Sequence, residues 1–312
     1  MSSTSTVEMS KAEWLAARNK GIGGSDAAAV CGVSRYKTPL QLWQEKTGRV
    51  QPADLGDNSR VRAGNALEEV VAAWWQEETG MSCRRDNKIR AAKDRPYLLA
   101  NVDRVIQSNG DGPGILEIKT TSGWNMKAVR EEGLTVPMTW WCQLQHYFHV
   151  TGYTWGAFGV LMDGHEFEHI PVARDDDFIS ALVAREVEFW ERHVLADVPP
   201  EPVAESDILA LYPRSLANAV EASAELAEQV RQLKEIKANI SALEKEEANM
   251  SETVKLALGG NDTLTADGKV IATWKSSKDG ERFNARRFEA ENPELYRKYF
   301  ETVPGSRRFL IK

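Results

Sequence analysis

The chain has only three cysteines, Cys31, Cys83 and Cys142, in 312 residues. They are odd in number and far apart. This excludes a disulfide framework and metal-type spacing, and points to a reducing compartment, the cytoplasm. No stretch approaches the run of about 18 apolar residues that a membrane span needs. The opening "MSSTSTVEMSKAEW" lacks a basic segment followed by an apolar one, so no secretory signal is expected. Positive charge is in deficit: 39 Lys and Arg against 46 Asp and Glu, a net charge of −7. That balance argues against a protein that simply coats nucleic acid, yet leaves room for an enzyme with several carboxylates and a local basic surface. Arg84, Arg85, Lys88, Arg90, Lys93 and Arg95 form one basic cluster, either such a surface or a plain solvated face. No internal repeat is present.

What remains is the composition of a globular protein, 42% hydrophobic and 27% charged. Residues 8–48 read as helices. Thr38 is a good N-cap, Pro39 suits the first helical position, Gln41 completes a capping box and Gly48 ends the helix. A longer helix is predicted over 59–79, with Leu67, Val70, Val71 and Trp74 as its apolar stripe. Strands follow near 83–91, 97–106 and 114–120, the last two joined through "SNGDGPG" as a hairpin. A helix after Pro137 buries Trp141, Leu144 and Phe148. A second hairpin turns at Asp163-Gly164, and a helix spans 176–195. The pattern is a mixed sheet flanked by helices, of α/β or α+β type.

"VPPEPV" at 198–203 reads as a boundary, giving a first domain over 1–203 and a second module over 204–312. In the second, Leu233, Ile236, Ile240, Leu243, Met250 and Val254 form a coiled-coil-like seam interrupted by Glu247. A small hairpin around Asp267-Gly268 follows, and "SRRFLIK" reads as a last strand.

The chemistry concentrates in "GILEIKTTS" at 114–122. Alternate strand residues share a face, so Glu117 and Lys119 point together, roughly 6.6 Å apart at about 3.3 Å per residue. An exposed ion pair would look the same. However, Asp103 interrupts the neighbouring apolar run "YLLANVDRVI", and a hairpin would bring it to Glu117. Two carboxylates at that range repel unless a proton or cation separates them, and Mg²⁺ suits oxygen ligands. A lysine beside them can orient a water and stabilise charge on a phosphoryl oxygen. Glu68 lies beside the 59–79 stripe, where it either joins the acids or snorkels to solvent. Gln143, in "WWCQLQHYF", either bonds into the site or is purely structural.

Two glycine- and histidine-bearing stretches need separate treatment. In "RNKGIGGSDAAAVCG", glycines precede Ser25 at a helix start, and Arg18 is near. Such a start favours an anion, and an ordinary serine cap is the alternative. It is neither a Walker loop nor a Rossmann fingerprint. "HEFEH" at 165–169 matches a zinc-protease pattern, which needs a helix. In a strand, His165 and His169 stand about 13 Å apart, too far for one zinc.

Taken in order, "IGGSDAAAVCGVSRYKTPLQLWQEKTG", "GNALEEVVAAWW", "LLANVDRVI", "GILEIKTTS" and "QLQHYFHVTGYTWGAFGVL" resemble the YqaJ-type viral recombinases, relatives of phage lambda exonuclease among the PD-(D/E)xK nucleases. The resemblance covers about residues 12–195. It implies a restriction-endonuclease-like fold and Mg²⁺-dependent digestion of double-stranded DNA ends in the 5′→3′ direction, with Mn²⁺ as a substitute metal, leaving 3′ overhangs for recombination. It implies that Asp103 and Glu117 are metal ligands, with Glu68 as the helical acid and a further ligand. Lys119 would be the catalytic lysine, Gln143 part of the active-site helix, and Arg18 and Ser25 the 5′-phosphate site. A ring-shaped homo-oligomer, often a trimer, a single-strand annealing protein as partner, and the bacterial host cytoplasm for a phage-encoded chain are also implied. The chain departs from the family at Val102 and Arg104, where proline and glycine commonly flank the acid. An endonuclease or repair nuclease of the same fold, and a DNA-binding scaffold built on the 216–258 helix, are the competing readings. The chain has too few cysteines for the iron–sulfur cluster of some relatives.

Overall fold

Local capping and apolar spacing set the elements, and long-range pairing then divides them between two sheets. The computed structural model describes residues 2–52, 56–107, 110, 112–303 and 305–312. First come β1 (Ser2–Ser5), α1 (Lys11–Asn19), β2 (Ile22–Gly23), α2 (Gly24–Val30), α3 (Pro39–Lys46) and α4 (Ser59–Thr79). Five short strands follow: β3 (Cys83–Arg85), β4 (Lys88–Ala91), β5 (Leu98–Ala100), β6 (Arg104–Ile106) and the longer β7 (Gly114–Thr121). Next are α5 (Gly123–Glu131), α6 (Met138–Thr151), β8 (Trp155–Met162), β9 (Glu166–Ala173), α7 (Asp176–Glu188) and α8 (Glu205–Leu211). A wider, π-type stretch over Phe189–Leu195 continues α7. No helix among the described residues is long and apolar enough to cross a membrane.

The caps act as the residue types require. The Thr38 hydroxyl accepts from the Gln41 N–H at 3.1 Å, and the Gln41 side chain accepts from the Thr38 N–H at 3.0 Å. Asp163 and Gly164 take φ values of 51° and 80°, the left-handed pair that a tight β8–β9 turn needs. The stripe of α4 is rotated from the expected one. Val71, Ala72 and Trp75 are buried, Leu67 and Trp74 are partly covered, and Val70 faces solvent. On α6, Leu144 and Phe148 are fully buried and Trp141 is half-buried.

A five-stranded sheet runs β3-β6-β7-β8-β9, with β7 and β8 parallel and the other neighbours antiparallel. A four-stranded sheet runs β1-β4-β5-β2. The two expected strands at 83–91 and 97–106 therefore each break and contribute to both sheets. The first breaks at Asp86-Asn87, where Asn87 takes φ 41°. The second breaks at Asn101-Val102-Asp103. β6 and β7 pair as the expected hairpin, although residues 108, 109 and 111 of its turn lie outside the described residues. In β7, Leu116 packs with Trp75 of α4 on one face, while Ile115 joins the cluster of Leu144 and Phe148 from α6 on the other. The sheet is thus covered by α4 on one side and α6 on the other, and Glu117 and Lys119 share the α6 side.

The chain divides into compact units at Met1–Tyr212 and Pro213–Lys312, nine residues beyond the expected 203. The reason is α8. Its Asp207 is fully buried and accepts from the Thr38 hydroxyl at 2.6 Å and from the Val203 N–H at 3.0 Å. The second unit contains α9 (Ala224–Leu258), the hairpin β10 (Thr263–Ala266) and β11 (Lys269–Thr273), α10 (Ala285–Glu291) and α11 (Pro293–Arg297). Asp267 and Gly268 make the expected turn, but residues 306–312 form no strand. A chain ending at Val203 should unfold at lower urea than one ending at Tyr212, by about 1–3 kcal/mol, because Thr38 loses its buried acceptor. Equal midpoints would refute this account of α8.

Candidate active site

The break before β6 turns Asp103 towards the next strand. Its Oδ2 accepts from the Ile118 N–H at 2.9 Å, so the acid spans from the end of the second sheet into the middle of β7. Glu117 is buried on that strand, and its Oε1 accepts from Lys119 Nζ at 2.9 Å. Gln143, reaching down from α6, bonds both groups. Its Oε1 accepts from Lys119 Nζ at 2.7 Å and its Nε2 donates to Glu117 Oε1 at 2.5 Å. Acid and amine are therefore held by a third side chain instead of moving freely on a surface.

These groups do not rest easily as charges. Burial foremost, then the neighbouring Glu117, pushes the Asp103 carboxyl up to about 8, in spite of Lys119 and the Ile118 N–H. Burial also raises Glu117 above the ordinary carboxyl range, although Lys119 and Gln143 pull the other way. Glu117 Oε2 is buried and has no hydrogen-bond partner among the described residues. Two adjoining carboxylates with an unpaired buried oxygen fit a hard divalent cation. Mg²⁺ is commonly held by one or two carboxylates, with waters and substrate phosphates completing its shell.

The expected third ligand is placed differently. Glu68 lines a cleft with Asp103 and Gln143, but its Oε1 is held by Arg104 Nη1. Among the described residues, no three His, Cys, Asp or Glu side chains assemble as a metal-holding group. Arg104, only 2% exposed, also meets Glu69 at 3.1 Å and donates to the Asp103 carbonyl at 2.9 Å. In the sequence Arg104 stands out only as a departure from the family's glycine, although a second charge in an apolar strand is itself a signal. Tyr147, one helical turn beyond Gln143, carries no such signal. The Tyr147 hydroxyl accepts from Gln143 Nε2 at 3.2 Å and donates to the Asn101 carbonyl at 3.0 Å.

Arg18 and Ser25 line that cleft as well, together with Asp103, Gln143 and Tyr147, around a cavity of about 420 Å³. Arg18 Nη2 donates to Ser25 Oγ at 2.8 Å, and the guanidinium lies 4.5 Å from the Trp14 ring centre. Two of the glycines before Ser25 serve packing. A Cβ on Gly24 would stand 2.4 Å from the Tyr147 ring, and one on Gly21 would stand 2.2 Å from the Tyr97 carbonyl oxygen. Burial pushes Asp26 up, yet Lys46 at 2.8 Å, the Gly23 N–H and Arg18 outweigh it and hold the carboxyl low. Half of the basic cluster is neutralised internally, with Arg85 on Glu69, Arg90 on Asp86 and Arg95 on Asp94. "HEFEH" lies at the β9 turn and strand, so its histidines do not share a helix face.

Comparisons with known proteins follow the same outline. Residues 13–154 match the family described as YqaJ-like viral recombinase domain. The protein YqaJ of Bacillus subtilis (strain 168) is 33% identical over 312 residues, 98% of this chain and 95% of the relative. An alkaline exonuclease (LHK-Exo) from Laribacter hongkongensis has a similar fold, with a TM-score of 0.50 and 21% identity, covering 60% of this chain and 94% of that one. The structure of LHK-Exo in complex with dAMP matches with the same figures.

The carboxyl shifts make a directional prediction. A carboxyl raised in the folded state favours folding where it is protonated, and that contribution fades as pH climbs from about 4 to about 8. Metal-free protein should lose stability over that interval, and Asp103→Asn should flatten the loss. Mg²⁺ affinity, followed by calorimetry, should rise with pH up to about 8 and then level off. A pH-independent affinity would contradict the assignment of Asp103.

Proposed function

The chain belongs to the YqaJ-like viral recombinase family, and from that premise we propose that it is a divalent-metal-dependent nuclease that shortens linear double-stranded DNA from its 5′ ends. The observation that carries this reading is the set Asp103, Glu117, Lys119 and Gln143, a half-buried and a buried acid with an amine clamped beside them. Mg²⁺, with Mn²⁺ as a substitute, fits the unpaired carboxylate oxygen, and Asp103 and Glu117 would hold it. When bound, the cation supplies Lewis-acid stabilisation of charge building on a phosphoryl oxygen. Lys119 orients the attacking water and stabilises the same charge, since its amine projects from the strand that carries Glu117. Gln143 fixes both partners, so neither side chain must be ordered during the reaction. The resulting 3′ single strand suits hand-over to a single-strand annealing protein.

Lys119→Ala should reduce duplex digestion by about 10²–10⁴-fold while folding and DNA binding persist. Gel-shift binding and product release measured on one preparation check this, and normal turnover would sink the role. Selection of ends falls to Arg18 and Ser25, whose donors open on the same cleft as Asp103. A terminal phosphomonoester carries more negative charge than an internal diester, so an arginine prefers it. Digestion of 5′-phosphorylated duplex should be roughly ten- to a hundredfold faster than of 5′-hydroxyl duplex, as expected of a charge-assisted contact worth about 1.5–3 kcal/mol. Arg18→Ala should erase most of this preference. Equal rates on both ends by the unaltered enzyme below saturation would remove the anchor.

A further inference from the structure

α9 is 35 residues long, and its apolar side chains find little to cover them. Leu226, Ile236, Ile240, Leu243 and Met250 are each about half exposed or more, and Leu233 is only partly covered. Helices of this kind draw most of their stability from packing an apolar face, not from propensity. The face is a strict heptad seam. Its a positions are Leu226, Leu233, Ile240, Glu247 and Val254, and its d positions are Gln229, Ile236, Leu243, Met250 and Ala257. Only two of these ten residues are polar.

Their spacing selects a partner and a register. In a parallel pair of copies, Glu247 would oppose its own symmetry mate in the core, an uncompensated like-charge contact. In an antiparallel pair centred on Ala238, Glu247 meets Gln229 of the second copy, an acceptor facing a donor. Every other core layer then matches apolar with apolar: Leu226 with Met250, Leu233 with Leu243, Ile236 with Ile240, and Val254 with Ala222 just before the helix. Sliding by one heptad sets Glu247 against Ile236 in one direction, or Gln229 against Ile240 in the other. No neighbouring register satisfies both polar residues.

A second feature lies where this register needs it. Leu243, Met250 and Val254 form a mainly apolar groove of about 560 Å³ with Leu258 of α9, Ala272 of β11 and Trp274 just after it, with Glu246, Glu247 and Lys255 also along it. An antiparallel second copy brings its Leu226 and Val230 to that groove. We propose that α9 is the contact between two copies of this chain, paired antiparallel about Ala238, with the start of each helix seated against the other's hairpin. This contact is independent of the nuclease reading, because it uses no residue of that site.

The test uses full-length protein. Leu233→Cys and Leu243→Cys variants, one carrying a size tag, are mixed under reducing conditions so that copies exchange. The mixture and each variant alone are then oxidised and run on a non-reducing gel beside the unaltered chain, whose Cys31, Cys83 and Cys142 serve as control. The proposal expects a cross-linked band only in the mixture. Cross-linking of either variant with itself, or no band in any lane, overturns it. If the variants do not fold, Gln229→Lys read by sedimentation equilibrium decides. Antiparallel pairing places the new amine on Glu247 of the second copy, twice per pair of copies, and lowers the dissociation constant of this contact about two- to thirtyfold. An unchanged or raised constant overturns the proposal.

Discussion

Asp103, half-buried, and Glu117, buried, lie so close together that ionising either makes the other harder to ionise. The first unit is arranged around that repulsion. β6 and β7 pair so that the acid at the end of one lies against the middle of the other, and the Ile118 N–H fixes Asp103 there. Lys119 relieves part of the charge and Gln143 clamps the relief in place, yet one Glu117 oxygen remains buried and unpaired. Arg104 takes up Glu68, so the charge that the helical acid would add is already met from within the protein. A site left short of positive charge at one point, with neighbours rigidly held, is poised for a cation and for the phosphate that follows it.

The packing behind the site serves the same end. α6 carries Gln143 towards the sheet, and His146, three residues on and on a neighbouring part of the same face, anchors the helix with Nδ1 on Glu186 of α7 at 2.7 Å and Nε2 on the Leu99 carbonyl at 2.9 Å. Both ring nitrogens face acceptors. Burial favours the neutral ring, but Glu186 outweighs it and raises the pKa. Gly24 lets α2 pack against Tyr147 where any side chain would collide, and this brings Ser25 and Arg18 to the cleft. Gly24 thus acts through the distance between two helices.

What could be read in advance was local. Thr38, Pro39 and Gln41 fix a helix start by chemistry within one turn, and Asp163-Gly164 and Asp267-Gly268 fix hairpins by their left-handed backbone. Glu117 and Lys119 betrayed themselves by charge at alternate positions of an apolar strand. What escaped depends on partners distant in sequence. The runs at 83–91 and 97–106 look continuous, and only pairing into two sheets breaks each of them. Arg104 reads as a strand residue until α4 brings Glu68 and Glu69 to it. The basic cluster reads as one patch, but half of its charge is met by acids, Glu69 among them from another element. Pro199 and Pro200 mimic a boundary, while a single buried acid, Asp207, keeps α8 with the first unit.

The central claim is that this acid pair cuts DNA at ends, and one comparison tests it most directly. A 5′-labelled linear duplex and a covalently closed circle of the same sequence are incubated with the enzyme, each with Mg²⁺ and each with a chelator. The account predicts release of labelled short products from the linear duplex with Mg²⁺ alone, and an intact circle throughout. Cutting of the circle at a comparable rate, or digestion of the linear duplex in the presence of chelator, would contradict it.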